Sequence, residues 1–158
     1  MSTLSDQEMV LVVGLFTGAV AIAMLVVSLL YYVITALGLG RMFRKAGEPA
    51  WKAWIPVYNL YILFKLCWTT KMFWIWLVVD FAGVLISKLN SDNLILALIA
   101  IVLGIASIVI MAKKCGRVAR AYGRGTGTAV GLFFLPMIFD CILGFGESVY
   151  TAPAEAGM

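Results

Sequence analysis

Two aspartates lie within apolar segments of this chain, and they are the first residues whose chemistry needs an explanation. Asp80 lies in "FWIWLVVDFAGVLI" and Asp140 in "GLFFLPMIFDCILGFG". A charged aspartate at the centre of a bilayer costs about 2.5–3.5 kcal/mol, so an acid there is paired, neutral or used for function. With Lys88 and Tyr32 at comparable depths, the two acids could form a path for a proton or a cation. The alternative is structural, with Asp80 hydrogen-bonded to tyrosine or serine and Asp140 paired with Lys88 or protonated.

The usual catalytic and metal-ligating residues are scarce. The chain has no histidine, which removes the commonest general base and metal ligand. The three cysteines are odd in number and lack C-x-x-C spacing, which indicates free thiols at Cys67, Cys115 and Cys141. Ser148 has no lysine near it in the sequence that could activate it for peptide hydrolysis. The sequence therefore predicts no catalytic residue, no metal site, no cofactor and a protein that is not an enzyme.

A glycine-rich segment, "YGRGTGTAVG" at residues 122–131, invites comparison with a phosphate-binding loop. A nucleotide loop needs a strand before it, and none is predicted here. Free backbone N–H groups at Gly125 and Gly127, with Arg120 and Arg124 beside them, could instead hold the phosphate of a lipid headgroup. The alternative is a flexible turn whose arginines only set the topology. The basic residues predict no binding of nucleic acid.

Long apolar runs must position these residues. Hydrophobic residues make up 63% of the chain and charged residues 13%, against roughly 45–50% and 25% in soluble domains. A helix needs about 20 apolar residues to cross a bilayer. The sequence therefore predicts an all-α membrane protein with four transmembrane helices, in a single integral membrane domain, residues 1–150, followed by a short tail, residues 151–158. The predicted spans are residues 9–39, 72–89, 94–112 and 128–146.

Residues 49–70 are apolar but carry lysines, and their aromatic residues recur at helical spacing. Pro49 suits a helix start, and Pro56 is predicted to bend the helix. This pattern is typical of an amphipathic in-plane helix on the cytoplasmic side. Its predicted interfacial anchor consists of Trp51, Trp54, Tyr58 and Tyr61. The alternative, which can hold together with the first, is a helix packed on its own bundle.

The basic residues predict the orientation. All but Lys88 of the 12 lysines and arginines fall in residues 40–71 and 113–127. The positive-inside rule places both segments in the cytoplasm. With four spans, both termini then lie outside, on the side that also holds the acidic residues Asp6, Glu8, Asp92, Glu147 and Glu155.

Three segments, "GEPAWKAWIPVYNLYILFKL", "AYGRGTGTAVGLFFLP" and "ILGFGESVY", resemble a family of small bacterial multi-pass membrane proteins of uncharacterised function. The family is similar to the membrane segment that precedes the catalytic part of some bacterial type I signal peptidases. Residues 54–59 are the most specific part of this resemblance. The chain departs from the family pattern at Asp140 and Cys141, where an aromatic residue and a proline are expected. The resemblance implies the fold and a location in the plasma membrane, the inner membrane of the cell, but no activity.

Three functions follow as hypotheses. The first is a non-enzymatic structural or accessory component that acts by packing against lipids, a partner membrane protein or another copy of itself. The second is a small ion- or proton-coupled transporter or channel subunit that uses Asp80 and Asp140. The third, based on the resemblance alone, is a component of protein export beside a signal peptidase. Acids that face a wet cavity would favour the second hypothesis, and acids sealed against tyrosine or lysine would favour the first.

Overall fold

The computed structural model describes residues 5–89 and 93–154, and within these ranges every regular element is a helix. Asp92 and Glu155, two of the acidic residues used to predict the orientation, lie outside the described residues. A 3₁₀ helix, Ala50–Trp54, stands between the first two α-helices. The α-helices in chain order are α1 Asp6–Lys45, α2 Pro56–Cys67, α3 Thr70–Leu89, α4 Leu94–Ala121, α5 Thr126–Phe134 and α6 Pro136–Phe145.

Three helices of the described chain are long and apolar enough to cross a membrane, where the sequence predicts four. They are Gln7–Lys45, Thr70–Lys88 and Leu94–Ala121, so the first three predicted spans are confirmed as helices of sufficient length. The first and third helices extend beyond their predicted ends, which makes the first part of the predicted basic loop 113–127 helical. The predicted fourth span, residues 128–146, is wrong.

Pro136 explains why residues 128–146 do not form one helix. Proline lacks the N–H that continues a helix, and its ring excludes the preceding residue from the helical conformation. Leu135 accordingly has φ −134° and ψ 60°, and Pro136 opens a new helix. The two resulting helices contain 9 and 10 residues, each about half of what a crossing requires. Gly131 allows them to pack closely, because a Cβ there would collide with the ring of Phe139.

The end of α6 returns to the place where α5 began. The backbone N–H of Thr151 donates to the carbonyl of Ala121, the last residue of α4, at 2.7 Å. Lys45, the last residue of α1, donates through Nζ to the carbonyl oxygens of Leu143 and Gly146, both at 2.6 Å. The segment between α4 and Thr151 therefore leaves and re-enters the bundle at one place. The predicted position of the C-terminus relative to the membrane stays a prediction.

Pro56 begins a helix where the sequence predicts that it bends one. Ile55 before it is extended, with φ −103° and ψ 112°, so the 3₁₀ helix and α2 are separate elements. The second half of α2 is buried, from Ile62 to Cys67 with Lys65 half-buried. The alternative of a helix packed on its own bundle is therefore confirmed, while a position in the headgroup plane stays a prediction.

By internal contacts the chain divides into two units, residues up to Ile34 and residues from Thr35 onward. The first unit is the apolar part of α1, exposed along most of its length, and Ser28 in it donates to the carbonyl of Leu25 in the same helix at 2.9 Å. The second unit contains the hydrophobic core, in which Phe43 and Leu143 are fully buried.

Two contacts close the core of the second unit. The Tyr122 hydroxyl donates to the carbonyl of Met42 at 2.8 Å. Gly38 of α1 lies against the backbone of α6, where a Cβ on Gly38 would come within 2.8 Å of the carbonyl carbon of Asp140. Small residues that let two helix backbones approach in this way are typical of membrane helices.

Candidate functional site

Asp80 lies on an exposed face of α3 and is held by one neighbour from α4. The hydroxyl of Ser107, which is buried, donates to Oδ1 of Asp80 at 2.9 Å. Within the described chain this is the hydrogen bond that the carboxylate accepts. The expectation of a serine or tyrosine partner is thus confirmed, although the serine belongs to α4 and was not singled out in the sequence.

The carboxylate lines a groove of about 320 Å³ between α3 and α4, called here the α3–α4 groove. Gly83 brings the helices together, since a Cβ there would lie 3.4 Å from Cβ of Leu103, whereas a Cβ on Gly104 would meet nothing within 4 Å. The groove is therefore open at the surface and has small residues along it. Its lining consists of Val79, Asp80, Gly83, Val84, Ser87, Ala100, Ile101, Gly104 and Ser107.

Asp140 lies in different surroundings, on a buried face of α6. Its side chain is 6% exposed, and Lys114 of α4, which is 8% exposed, is close enough for the two charges to interact. The predicted partner Lys88 is exposed near the end of α3 and is not among the ion pairs found in the described ranges. Lys114 also forms no ion pair within 4 Å of Asp140 among those found in the described ranges, so the predicted pairing with Lys88 is replaced by a longer-range electrostatic interaction with Lys114. The reason is that the chain reverses at Leu135, which changes the neighbours of Asp140.

The two acids of the predicted ion or proton path lie in different surroundings within the second contact unit. The α3–α4 groove contains Asp80 but not Asp140 or Lys88. Tyr32 is half-buried in the first contact unit. Transport by these four residues stays a prediction.

Lys114 is a residue that the sequence analysis did not single out, because it was assigned to a basic loop. A usable signal was present in the spacing of the buried face of α4. Ser107, Lys114, Val118 and Ala121 are separated by 7, 4 and 3 residues, as on one side of a helix. Extending the third helix to Ala121 would have placed Lys114 on the same face as the apolar core.

Glu48 forms the other ionic cluster. Its carboxylate accepts from Nζ of Lys52 at 2.5 Å and from Nζ of Lys65 at 2.8 Å. The hydrogen bond from Lys52, followed by that from Lys65, lowers the pKa of Glu48, and the hydrogen bond to Glu48 raises the pKa of Lys65. This arrangement ties the segment before α2 to α2 itself, so its chemistry is structural.

The residues predicted to contact lipid headgroups have different neighbours. Arg120 lines a cleft with Arg117, while Arg124 extends towards Gly146 at the end of α6. Gly125 precedes α5 as its N-cap, and Gly127 faces open space.

The predicted aromatic anchor is brought together in part. The ring of Trp51 stacks on Tyr58 at 6.2 Å between centroids, and Tyr58 stacks on Tyr61 at 5.7 Å. Trp51 and Trp54 are exposed, whereas both tyrosines are half-buried against the core. The two tryptophans thus form the outward part of the anchor.

Ser148, which has no lysine near it in the sequence, accepts a hydrogen bond from Nζ of Lys45 at 3.1 Å. Cys67, Cys115 and Cys141 are not joined in disulfides, as predicted. Within residues 5–89 and 93–154, no three side chains of histidine, cysteine, aspartate or glutamate converge as ligands for a metal. The predicted lack of a cofactor and of enzymatic activity stays a prediction.

Comparison with known proteins assigns the chain to a family without assigning a function. No curated protein and no solved structure matches the chain, so the similarity to the membrane segment of signal peptidases stays an expectation. The model of a family of unknown function, DUF5684, matches residues 51–153, which include α2 to α6. The chain belongs to this family of unknown function, DUF5684.

Proposed function

We propose that this protein is a non-enzymatic accessory component of a membrane complex, and that a membrane-spanning helix of a partner protein packs into the α3–α4 groove. The observation that carries the proposal is the exposed carboxylate of Asp80. It stands ten residues after Thr70 in a helix of 20 residues, which places it about 15 Å along a helix of about 30 Å. An exposed acid at this depth would face hydrocarbon, at a cost of about 2.5–3.5 kcal/mol.

The chemistry of the groove defines the kind of partner. One hydrogen bond from Ser107 leaves the second oxygen of Asp80 able to accept from outside the described chain. Gly104 offers open space beside it, so a partner helix can approach closely. The occupant is therefore a helix that presents a cation or a hydrogen-bond donor to Asp80.

The contacts of two other acids, Asp140 and Glu48, support a structural role. Asp140 interacts with a buried lysine, and Glu48 is held by two lysines. These contacts are those expected if the chain acts by packing. The transporter hypothesis is less supported, because the α3–α4 groove contains Asp80 without Asp140.

The orientation that we propose follows from the basic residues. The positive-inside rule places the end of α1, residues 50–67 and the end of α4 in the cytoplasm of a bacterial cell, with the protein in the plasma membrane. Three spans then put the N-terminus outside and the segment after α6 inside. The hydrogen bonds that join that segment to Lys45 and Ala121 support this arrangement.

Site-specific crosslinking in native membranes tests the groove. A photoreactive amino acid at Val84 should crosslink to a partner peptide that carries a lysine, arginine or hydroxyl side chain. Gly104→Leu should abolish the crosslink by filling the groove, and Asp80→Leu should abolish it by removing the acceptor. The matched control is Gly14→Leu, which adds the same side chain to α1, where a Cβ also meets nothing within 4 Å.

The outcomes separate the occupants. A crosslink to a second copy of this chain would show that the groove is an interface of a homo-oligomer and not a binding site for another protein. Crosslinks to lipid alone, or equal losses with Gly14→Leu, would contradict the proposal. Proton or sodium flux in liposomes that is lost in Asp80→Asn and Asp140→Asn would favour the transporter hypothesis.

A further inference from the structure

The last turns of α4 and the chain after α6 enclose a basic cleft that partner binding at the α3–α4 groove does not use. It has a volume of about 290 Å³ and is called here the arginine cleft. Among residues 5–89 and 93–154, those that line it include two arginines and no acidic residue. They are Cys67, Arg117, Arg120, Pro153 and Ala154.

The two guanidinium groups are positioned by their surroundings. That of Arg117 lies over the ring of Trp68, 4.5 Å from its centroid, a cation–π contact that limits its motion. Arg120 is exposed and donates through Nε to the carbonyl of Gly116 at 3.2 Å. Such planar groups bind phosphate oxygens through two parallel hydrogen bonds.

The position along α4 sets the level of the cleft in a membrane. The uncharged part of the helix, from Leu94 to Ala112, is about 28 Å long and matches the hydrocarbon thickness. Arg117 lies five residues further on, or about 7 Å, which is headgroup depth. Basic pockets at this depth on the cytoplasmic side recognise anionic lipids.

We propose that the arginine cleft binds the phosphate of an anionic phospholipid in the cytoplasmic leaflet. Arg117 and Arg120 contact the phosphate oxygens, while Pro153 and Ala154 form the opposite wall. This inference requires that α4 crosses a membrane, and it is independent of any partner at the α3–α4 groove.

Native mass spectrometry of the full chain in neutral detergent tests the proposal, with phosphatidylglycerol and phosphatidylcholine as probes. Wild-type protein should retain phosphatidylglycerol in preference. Arg117→Gln with Arg120→Gln should weaken that binding by about ten-fold or more. The control pair, Lys71→Gln with Lys113→Gln, removes the same charge from two exposed residues that do not line the cleft. It should change the affinity for phosphatidylglycerol by less than about two-fold, because salt and water screen exposed charges.

A second variant guards against misfolding of the arginine pair. Ala154 is exposed, so Ala154→Glu places a carboxylate in the cleft without removing a packed side chain, and it should also reduce binding of phosphatidylglycerol. Three results would overturn the proposal: equal losses in the lysine control, no preference between the two lipids, or inorganic phosphate that competes as well as the lipid. The last of these would assign the cleft to a soluble phosphate.

Discussion

Gly144→Ala offers the sharpest test of the helix packing, because the added methyl group has no space. A Cβ at this position would overlap the carbonyl oxygen of Gly38 and would lie 3.1 Å from Cβ of Arg41, where ordinary contacts are 3.4–4 Å. The obstructing atom belongs to a backbone and cannot rotate away. α6 must therefore move from α1 by about 1 Å, and overpacking of this kind costs about 1–3 kcal/mol.

The same displacement would strain the bonds from Lys45 to the end of α6. Hydrogen bonds to charged groups contribute about 1.5–3 kcal/mol each, so partial loss adds to the packing cost. We expect Gly144→Ala to lower the free energy of unfolding by about 2–4 kcal/mol in total. The measurement is unfolding in a mild detergent, followed by helical circular dichroism.

Gly104→Ala is the matched control, because a Cβ there meets nothing within 4 Å. Replacing glycine by alanine inside a helix normally stabilises it by up to about 1 kcal/mol. Gly144→Ala should therefore lower the free energy of unfolding relative to the parent protein, and Gly104→Ala should leave it unchanged or raise it. A Gly144→Ala protein as stable as Gly104→Ala would refute the close approach of α1 and α6.

Three further changes test individual contacts. Tyr122→Phe removes a buried hydroxyl donor and should lower the free energy of unfolding by about 1 kcal/mol, measured in the same denaturation assay. Hydrogen bonds from Lys52 and Lys65 lower the pKa of Glu48 from its ordinary value. The resulting stabilisation is present above the unfolded-state pKa and is lost as the pH falls through the folded-state pKa, so Glu48→Gln should flatten this part of a stability–pH curve. Lys114→Met removes a buried lysine whose charge acts on Asp140 and should lower the free energy of unfolding by about 1–3 kcal/mol, and by less when it is combined with Asp140→Asn. The exposed control Lys88→Met should change stability by less than about 0.5 kcal/mol, and an equal effect of the two lysine variants would restore Lys88 as the partner.

Much of the fold followed from local properties of the chain. The three confirmed spans are continuous apolar runs, and hydropathy identifies such runs because each backbone group in lipid must be bonded within its own helix. Pro56 was recognised as an interruption, but it was predicted to bend a helix that it begins. The break at Pro136 was missed, since a proline restricts one residue but does not specify the direction in which the chain continues.

The two intramembrane acids could be identified from the sequence, but their partners could not. Asp80 and Asp140 stand out in the sequence because acids are rare in apolar segments. Their partners Ser107 and Lys114 lie 27 and 26 positions away in the chain, so no local pattern identifies them. The arginine cleft combines residues from α2, α4 and the chain after α6, and of these residues the sequence analysis proposed only Arg120 as a contact of a lipid headgroup.

The sequence by itself determined that this protein is helical, where its long apolar helices lie and which acids need an explanation, because composition and periodicity are properties of consecutive residues. Only the tertiary structure decided that α5 and α6 return to the end of α4, that Asp140 interacts with Lys114, and that Asp80 is left facing outward. The physical reason is that these outcomes depend on contacts between residues far apart in the chain, such as the backbones that meet at Gly38 and Gly144. Such a contact is made between helices about 100 residues apart in the chain.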